Sequence, residues 1–274
     1  MNWRFLPLWQ GLELRGTMFN FAPRRQGGRA GARGWRAYVV GDIHGRLDLL
    51  EQLLEKIETN IASSKVRKVL VVFVGDLIDR GPNSAQVVER LRTYSHPRVR
   101  TVFLLGNHEE VLLRILAGEA DLITKWRWFG GDECLKSYGL DTDALVGMSD
   151  ENALKLISEV IPKEHVEFFE SFDDSCRFGD YLFVHAGIRP GVEIDQQRQS
   201  DLRWIREPFL LDDTDHGFVV VHGHTIRPEV EIRPNRIGID TGAYRTGVLT
   251  ALAIDGTESW LVDTRNVEQE VVSC

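Results

Sequence analysis

Three features of this 274-residue sequence predict an α/β fold class. Short β-rich runs alternate with segments whose apolar residues recur every three or four positions, which is the order of strand–helix–strand units. Glycine-containing loops follow the runs directly, and in such folds ligands sit beyond the C-terminal ends of the strands. In the second half the texture changes to closely spaced short β-rich runs, which predicts a further sheet.

The elements follow in order. RAYVV (36–40) ends at Gly41, and Leu47, Leu50, Leu54, Ile57 and Ile61 then share one helical face. KVLVVFVG (68–75) runs into a Gly/Asp/Pro-rich loop that reaches Asn83, and SAQVVERLRTY (84–94) carries a helical pattern with Ser84 as the predicted N-cap. RTVFLLG (100–106) followed by EEVLLRIL (109–116) makes a third unit. Residues 117 to about 172 read as a mostly helical, cap-like insertion. Its cluster of Trp126, Trp128 and Phe129 before Gly130-Gly131 suits either a cap over a site or, more simply, packing. YLFVHAG (181–187), FVVVHGHT (218–225), RIGIDTG (236–242), VLTALAID (248–255) and SWLVD (259–263) supply the later strands.

Composition narrows the class. With 43% hydrophobic residues the chain can bury a substantial core, and residues 36–274 read as one catalytic domain. Cys134, Cys176 and Cys274 are far apart and outside any C-x-x-C pair. That points away from a disulfide framework or zinc knuckle and toward a reducing cytoplasm. VLVVFVG (69–75), the most continuous apolar run, falls far short of the ~20 residues of a membrane-spanning helix.

Of the net charge of −8, residues 1–35 contribute six arginines against one acid, Glu13, which leaves −13 on the remainder. An acidic body argues against nucleic-acid binding, which draws its affinity from many basic contacts. Residues 1–35 read as a basic, disordered extension in which RRQGGRAGARG (24–34) is a flexible linker. The opening MNWRFLPLWQGLELRG would suit peripheral membrane contact, but Pro7 and Gly11 interrupt any sustained helix, and a disordered tail is the simpler expectation. Met18 offers a second start.

Five strands end on side chains able to bind metal: VVGDIHG (39–45), VGDLIDRG (74–81), LLGNHEE (104–110), FVHAG (183–187) and VVHGHT (220–225). Singly, each is an ordinary turn or a hydrogen-bonded histidine. Together they gather Asp42, His44, Asp76, Asn107, His185 and His224 at corresponding strand ends, six N/O ligands that suit two metal ions. Asp76 is the best candidate to bridge them. Carboxylate, amide and imidazole without thiolate favour Mn²⁺, with Fe or Zn²⁺ as alternatives.

In this order the blocks resemble those of the PPP family of metallophosphoesterases, the family of protein serine/threonine phosphatases and the lambda phage phosphatase. The similarity spans roughly residues 36–264 and includes WIRE (204–207) and IDTGAYRTGVLT (239–250). It implies a calcineurin-like metallophosphoesterase fold, a central β-sandwich flanked by helices, with a dinuclear metal centre at the strand ends. Matched by motif position, Asp42, His44 and Asp76 hold one ion, and Asp76, Asn107, His185 and His224 the other. Two such ions ~3.5–4 Å apart turn a bridging water into hydroxide for in-line attack on phosphorus.

The same resemblance assigns the remaining roles. His108 is the general acid and Asp79 its carboxylate partner, which raises the imidazole pKa and fixes its orientation. Arg80, Arg206 and Asn107 contact the substrate phosphate, with Arg203 the neighbouring alternative to Arg206. Glu109 and Glu110 are simplest as acids at a helix start. His222 suits a supporting position behind the ligands, and His96, His165 and His216 are expected at the surface.

The expected activity is that of a metal-dependent phosphoprotein phosphatase acting on phospho-Ser/Thr, with phospho-Tyr open, and its partner a phosphoprotein or phosphopeptide. One rival is a symmetrical dinucleoside tetraphosphatase. Asp79 and the Gly-His-Thr block weigh against it, because Ala and Gly-His-Trp are expected at those places. A silent scaffold that binds a membrane or partner through the basic N-terminus is the rival of a different class.

Overall fold

The computed structural model describes residues 29–265. The expectations placed on residues 1–28 and on Cys274 lie outside the described residues. Its strands are β1 (Arg36–Val40), β2 (Val69–Phe73), β3 (Val99–Phe103), β4 (Ser175–Phe178), β5 (Tyr181–Val184), β6 (Val219–His222), β7 (Glu231–Ile232), β8 (Arg236–Gly238), β9 (Thr250–Asp255) and β10 (Glu258–Asp263). They form two five-stranded mixed sheets, in the orders β10-β9-β1-β2-β3 and β4-β5-β6-β8-β7. Within the first, β1, β2 and β3 are parallel; within the second, β5, β6 and β8 are parallel. This is the α/β architecture with two sheets that the sequence predicts. β4 and β7 were not legible: one is only four residues long, the other two, and neither shows sustained apolar alternation.

The period of two along each strand separates two cores. Ala37, Val39, Leu70, Val72 and Leu104 face Phe178, Phe183, Val221 and Ile237 between the sheets. Tyr38, Val40, Val71 and Phe73 turn to the opposite face, where helices cover them. There α1 (Leu47–Ala62) buries Leu50, Leu54, Ile57 and Ile61 as expected, and also Leu49 and Leu53. α2 (Ser84–Arg92) and α3 (Asn107–Leu116) complete this layer. The N-cap of α2 is Asn83 rather than Ser84, whose hydroxyl instead accepts a hydrogen bond from the Asp79 N–H.

The insertion is helical, comprising α4 (Ile123–Trp126), a π-helical turn over Arg127–Gly131, α5 (Asp132–Ser137), α6 (Asp150–Val160) and α7 (Lys163–Glu170). Ile123, Trp126, Leu135, Ile157 and Phe169 join the helix-side core. It therefore packs as part of that layer; Trp126 is buried, whereas Trp128 is 85% exposed. His165 is also buried, held between the Tyr138 hydroxyl and Glu89, which corrects its expected surface position.

Residues 30–32, expected within a flexible linker, lie against the sheets. Ala30 N–H donates to Asp180, Asp180 N–H donates to the Ala30 carbonyl, and Gly31 N–H donates to the Gly256 carbonyl. Small side chains permit this approach: a Cβ at Gly31 would stand 2.6 Å from the Phe178 ring. Among the described residues no helix is long and apolar enough to cross a membrane.

Candidate active site

Because the parallel strands of both sheets run the same way, their C-terminal loops meet at one end of the sandwich. A pocket of about 220 Å³ lies there, lined by Asp42, His44, Asp76, Arg80, Asn107, His108, Arg206, His224, Thr225, Ile226 and Asp240. Among the described residues, five non-glycine residues have positive φ, and all belong to these loops: His44 (46°), Asp76 (50°), Asp79 (72°), Arg80 (66°) and His224 (62°). Such conformations cost on the order of 1 kcal/mol or more each and persist only where the surroundings enforce them.

Asp76 is the hub. Its Oδ2 lies 3.6 Å from His44 Nε2 and 3.9 Å from His108 Nε2, while Oδ1 lies 3.5 Å from His185 Nε2. Donor atoms of His44, Asp76 and His108 lie within 4.8 Å of one another, as do those of Asp76, His185 and His224. One carboxylate thus faces two groups; Asp76, His185 and His224 are spaced to surround a cation at ordinary N/O bond lengths of ~2.0–2.2 Å, and in the other group His44 is the neutral imidazole free to ligate beside Asp76.

The chemistry of the donors fits metal ions. His44 Nδ1–H donates to the Ile78 carbonyl and His185 Nδ1–H to the Val74 carbonyl, both at 2.8 Å, which turns each Nε2 lone pair toward Asp76. Burial pushes the His44 pKa well down and lowers that of His185; burial and the neighbouring His185 push His224 to about 2. All three imidazoles are therefore neutral, the form that ligates. Asn107 Oδ1 lies 2.8 Å from His224 Nδ1 and 3.0 Å from His185 Nε2, inside the second group. Asp42 lies in the pocket but outside both groups, accepting from His224 N–H at 3.1 Å, and its carboxyl meets that of Asp240. Burial, then Asp240 and Asp76, push the Asp42 pKa well up, the state of an acidic cluster suited to a cation.

His108 and Asp79 form a pair. His108 Nδ1 lies 2.5 Å from Asp79 Oδ2, with both groups buried. Burial alone would lower the His108 pKa, but Asp76 and the bond to Asp79 outweigh it and raise it to about 9. Arg80 Nη2 is 3.2 Å from His108 Nε2, and its Nη1 donates to the Tyr244 hydroxyl at 2.8 Å. Arg206 faces the pocket and donates to Thr225 Oγ1. Arg203, the alternative to it, is turned away and bound to Asp174 and Glu110.

Glu109 is the helix-start acid expected, accepting from the N-cap Gly106 N–H of α3, but its role reaches further. It is fully buried and accepts from the backbone N–H groups of Asp76 (2.9 Å), Leu77 (2.8 Å), Ile78 (3.3 Å) and Gly106 (3.1 Å). Burial and the charge of Asp76 push its pKa up, to about 8, against the pull of those donors. Gly106 allows the close contact: a Cβ there would stand 2.3 Å from Asp76 N. Asp240, Tyr244 and Trp126, whose Nε1–H donates to Asp79 Oδ2 at 2.8 Å, were also missed. Asp240 and Tyr244 carried a signal, since both lie in IDTGAYRTGVLT (239–250), which follows β8 directly.

The family model described as calcineurin-like phosphoesterase matches residues 36–247. Curated relatives include the asymmetrical bis(5'-nucleosyl)-tetraphosphatase PrpE of Anoxybacillus flavithermus, 28% identical over 78% of this chain and 88% of that protein. Serine/threonine-protein phosphatase 1 of Salmonella typhimurium is 30% identical over 82% of this chain and 95% of its own length. Among solved structures, a provisionally assigned diadenosine tetraphosphatase superposes with a TM-score of 0.59 at 22% identity, covering 84% of this chain and 94% of that one. The strand-end pocket, the shared aspartate and these matches lead to one statement: the chain belongs to the calcineurin-like phosphoesterase family and carries its metallophosphoesterase fold.

Proposed function

We propose that the pocket hydrolyses phosphomonoesters on phosphoproteins, phospho-Ser/Thr in the first place, within the reducing cytoplasm that the free Cys134 and Cys176 suit. The observation that carries the reading is Asp76, one buried carboxylate whose two oxygens face two separate imidazole groups. Asp42, His44 and Asp76 would hold one divalent ion, and Asp76, Asn107, His185 and His224 the second, with Mn²⁺ the expected metal. When bound, the pair supplies an activated water for in-line attack and neutralises charge on the phosphoryl oxygens.

The other steps belong to side chains. Arg80 and Arg206 grip the outer phosphate oxygens, and Arg80 is steadied by Tyr244. His108 gives its Nδ1–H to Asp79, so Nε2, facing Arg80, is the atom that delivers a proton to the leaving oxygen. This geometry leaves the hydroxyl product neutral.

The names of the relatives support a second reading, dinucleoside tetraphosphate hydrolysis, and they are of the asymmetrical type rather than the symmetrical type expected as rival. A phosphopeptide and diadenosine tetraphosphate offered side by side with Mn²⁺ separate the two. Faster release of phosphate from the peptide is expected; faster cleavage of the dinucleotide overturns the ranking. A folded, metal-loaded sample inert even toward p-nitrophenyl phosphate would favour the scaffold instead.

A further inference from the structure

We infer that Trp126, on the helical insertion, is a positioning residue for the proton-delivering pair: its indole N–H fixes the oxygen of Asp79 that orients His108. The inference rests on the phosphoesterase reading above, in which His108 protonates the leaving oxygen. Asp79 is fully buried, and its Oδ2 takes both side-chain contacts, Trp126 Nε1 at 2.8 Å and His108 Nδ1 at 2.5 Å. Its Oδ1 has no hydrogen-bond partner among the described residues. The Cys134 thiol, kept protonated by burial and then by the charge of Asp79, lies beside it. The two short side-chain bonds to the carboxylate therefore both fall on Oδ2, one from the imidazole that takes part in the chemistry and one from an indole that does not.

The same insertion grips the next residue. The Gly130 carbonyl accepts from Arg80 N–H at 3.0 Å, and a Cβ at Gly130 (φ 114°) would stand 2.7 Å from Arg80 N. Trp126 and Gly130, at the two ends of a π-helical turn, thus hold Asp79 and Arg80, two neighbours with left-handed backbones. A phenylalanine would fill most of the space that Trp126 occupies in the core. Only the indole brings a buried donor, which needs a buried acceptor.

Trp126→Phe tests the role. With Mn²⁺, kcat on phenyl phosphate, whose leaving oxygen needs a proton, should fall about tenfold or more with KM little changed, the loss of one hydrogen bond to a charged acceptor. On p-nitrophenyl phosphate it should stay within about twofold. Equal losses on both esters assign Trp126 to packing alone and overturn the inference. A second measurement needs neither activity nor a Trp126 variant. In metal-free, unaltered protein the Trp126 indole N–H and His108 Nδ1–H protons, sharing one acceptor, should give a proton–proton NOE that is absent from Asp79→Ala. No such cross-peak overturns the inference even if Trp126→Phe fails to fold. Unaltered protein that hydrolyses neither ester overturns the phosphoesterase reading, and the positioning role with it; an active enzyme with equal losses overturns the positioning role only.

Discussion

Removing the Glu109 carboxylate should cost far more than removing a surface acid from a helix start. Glu109→Ala strips the acceptor from four backbone N–H groups whose residues are all buried. Counting the three bonds of 2.8–3.1 Å and setting aside the one at 3.3 Å, three dry donors at ~1–2 kcal/mol each give a loss of about 3–6 kcal/mol. The cost follows from lost acceptors, so it holds whether or not the carboxyl is protonated. A macrodipole contribution alone would be about 0.3–1 kcal/mol. Urea unfolding of metal-free protein at pH 7 measures the difference, with Glu110→Ala alongside. Glu110 accepts from the half-exposed Trp204 and from Arg203, and its loss should cost about 1 kcal/mol. If Glu109→Ala costs under about 1 kcal/mol, the argument that this carboxylate holds the Asp76 loop is wrong. Because that loop carries Asp76, the proposed shared ligand, the variant should also lose metal on dialysis.

His108→Ala should lower kcat about a hundredfold or more on phenyl phosphate and far less on p-nitrophenyl phosphate, read by steady-state kinetics; equal losses would contradict proton delivery from this side chain. Asp76→Asn, which removes the charge common to both groups, should weaken metal binding about a hundredfold or more, measured as metal per chain after dialysis. Arg206→Ala should raise KM about tenfold or more, whereas Arg203→Ala, which breaks contacts to Asp174 and Glu110, should lower Tm and leave KM nearly unchanged. His222 is buried with Nε2 unpartnered among the described residues, and burial pushes its pKa to about 4. Between its ordinary value of ~6.5 and that value the unfolded chain binds the extra proton, so up to about 3 kcal/mol of stability, present above pH 6.5, is lost as pH falls toward 4. Urea unfolding across that range should show a shallower loss in His222→Phe.

The residues proposed as ligands were legible because each follows an apolar strand whose end is visible in the sequence, and parallel strands deliver their ends to one place. Asp42, His44, Asp76, Asn107, Arg80 and His224 all reached the pocket for that reason. Residues that hold the ligands were less visible. Glu109 sits where a helix-start acid is ordinary, and only tertiary packing makes it the acceptor for a loop more than thirty residues earlier. Trp126 lies in a segment whose aromatics read equally as core, and it is core in its ring and site in its N–H. β4 and β7 depend on pairing with β5 and β8 rather than on their own apolar pattern.

This division has a physical origin in the left-handed residues. A chain cannot keep His44, Asp76, Asp79, Arg80 and His224 at positive φ by local preference, since side-chain-bearing residues avoid that region. Each must be enforced from outside: His44 N–H by the Asp76 carbonyl, Asp76 N–H by Glu109, Asp79 by Ser84 and Trp126, Arg80 by Gly130, and His224 N–H by Asp42. These partners come from α2, α3, the insertion and the loops after β1 and β2, so the site is strained loops clamped by rigid neighbours. Loosening the Glu109 clamp should release the strain of its loop, so losing that carboxylate should displace the Asp76 side chain, although Glu109 bonds only to its backbone N–H.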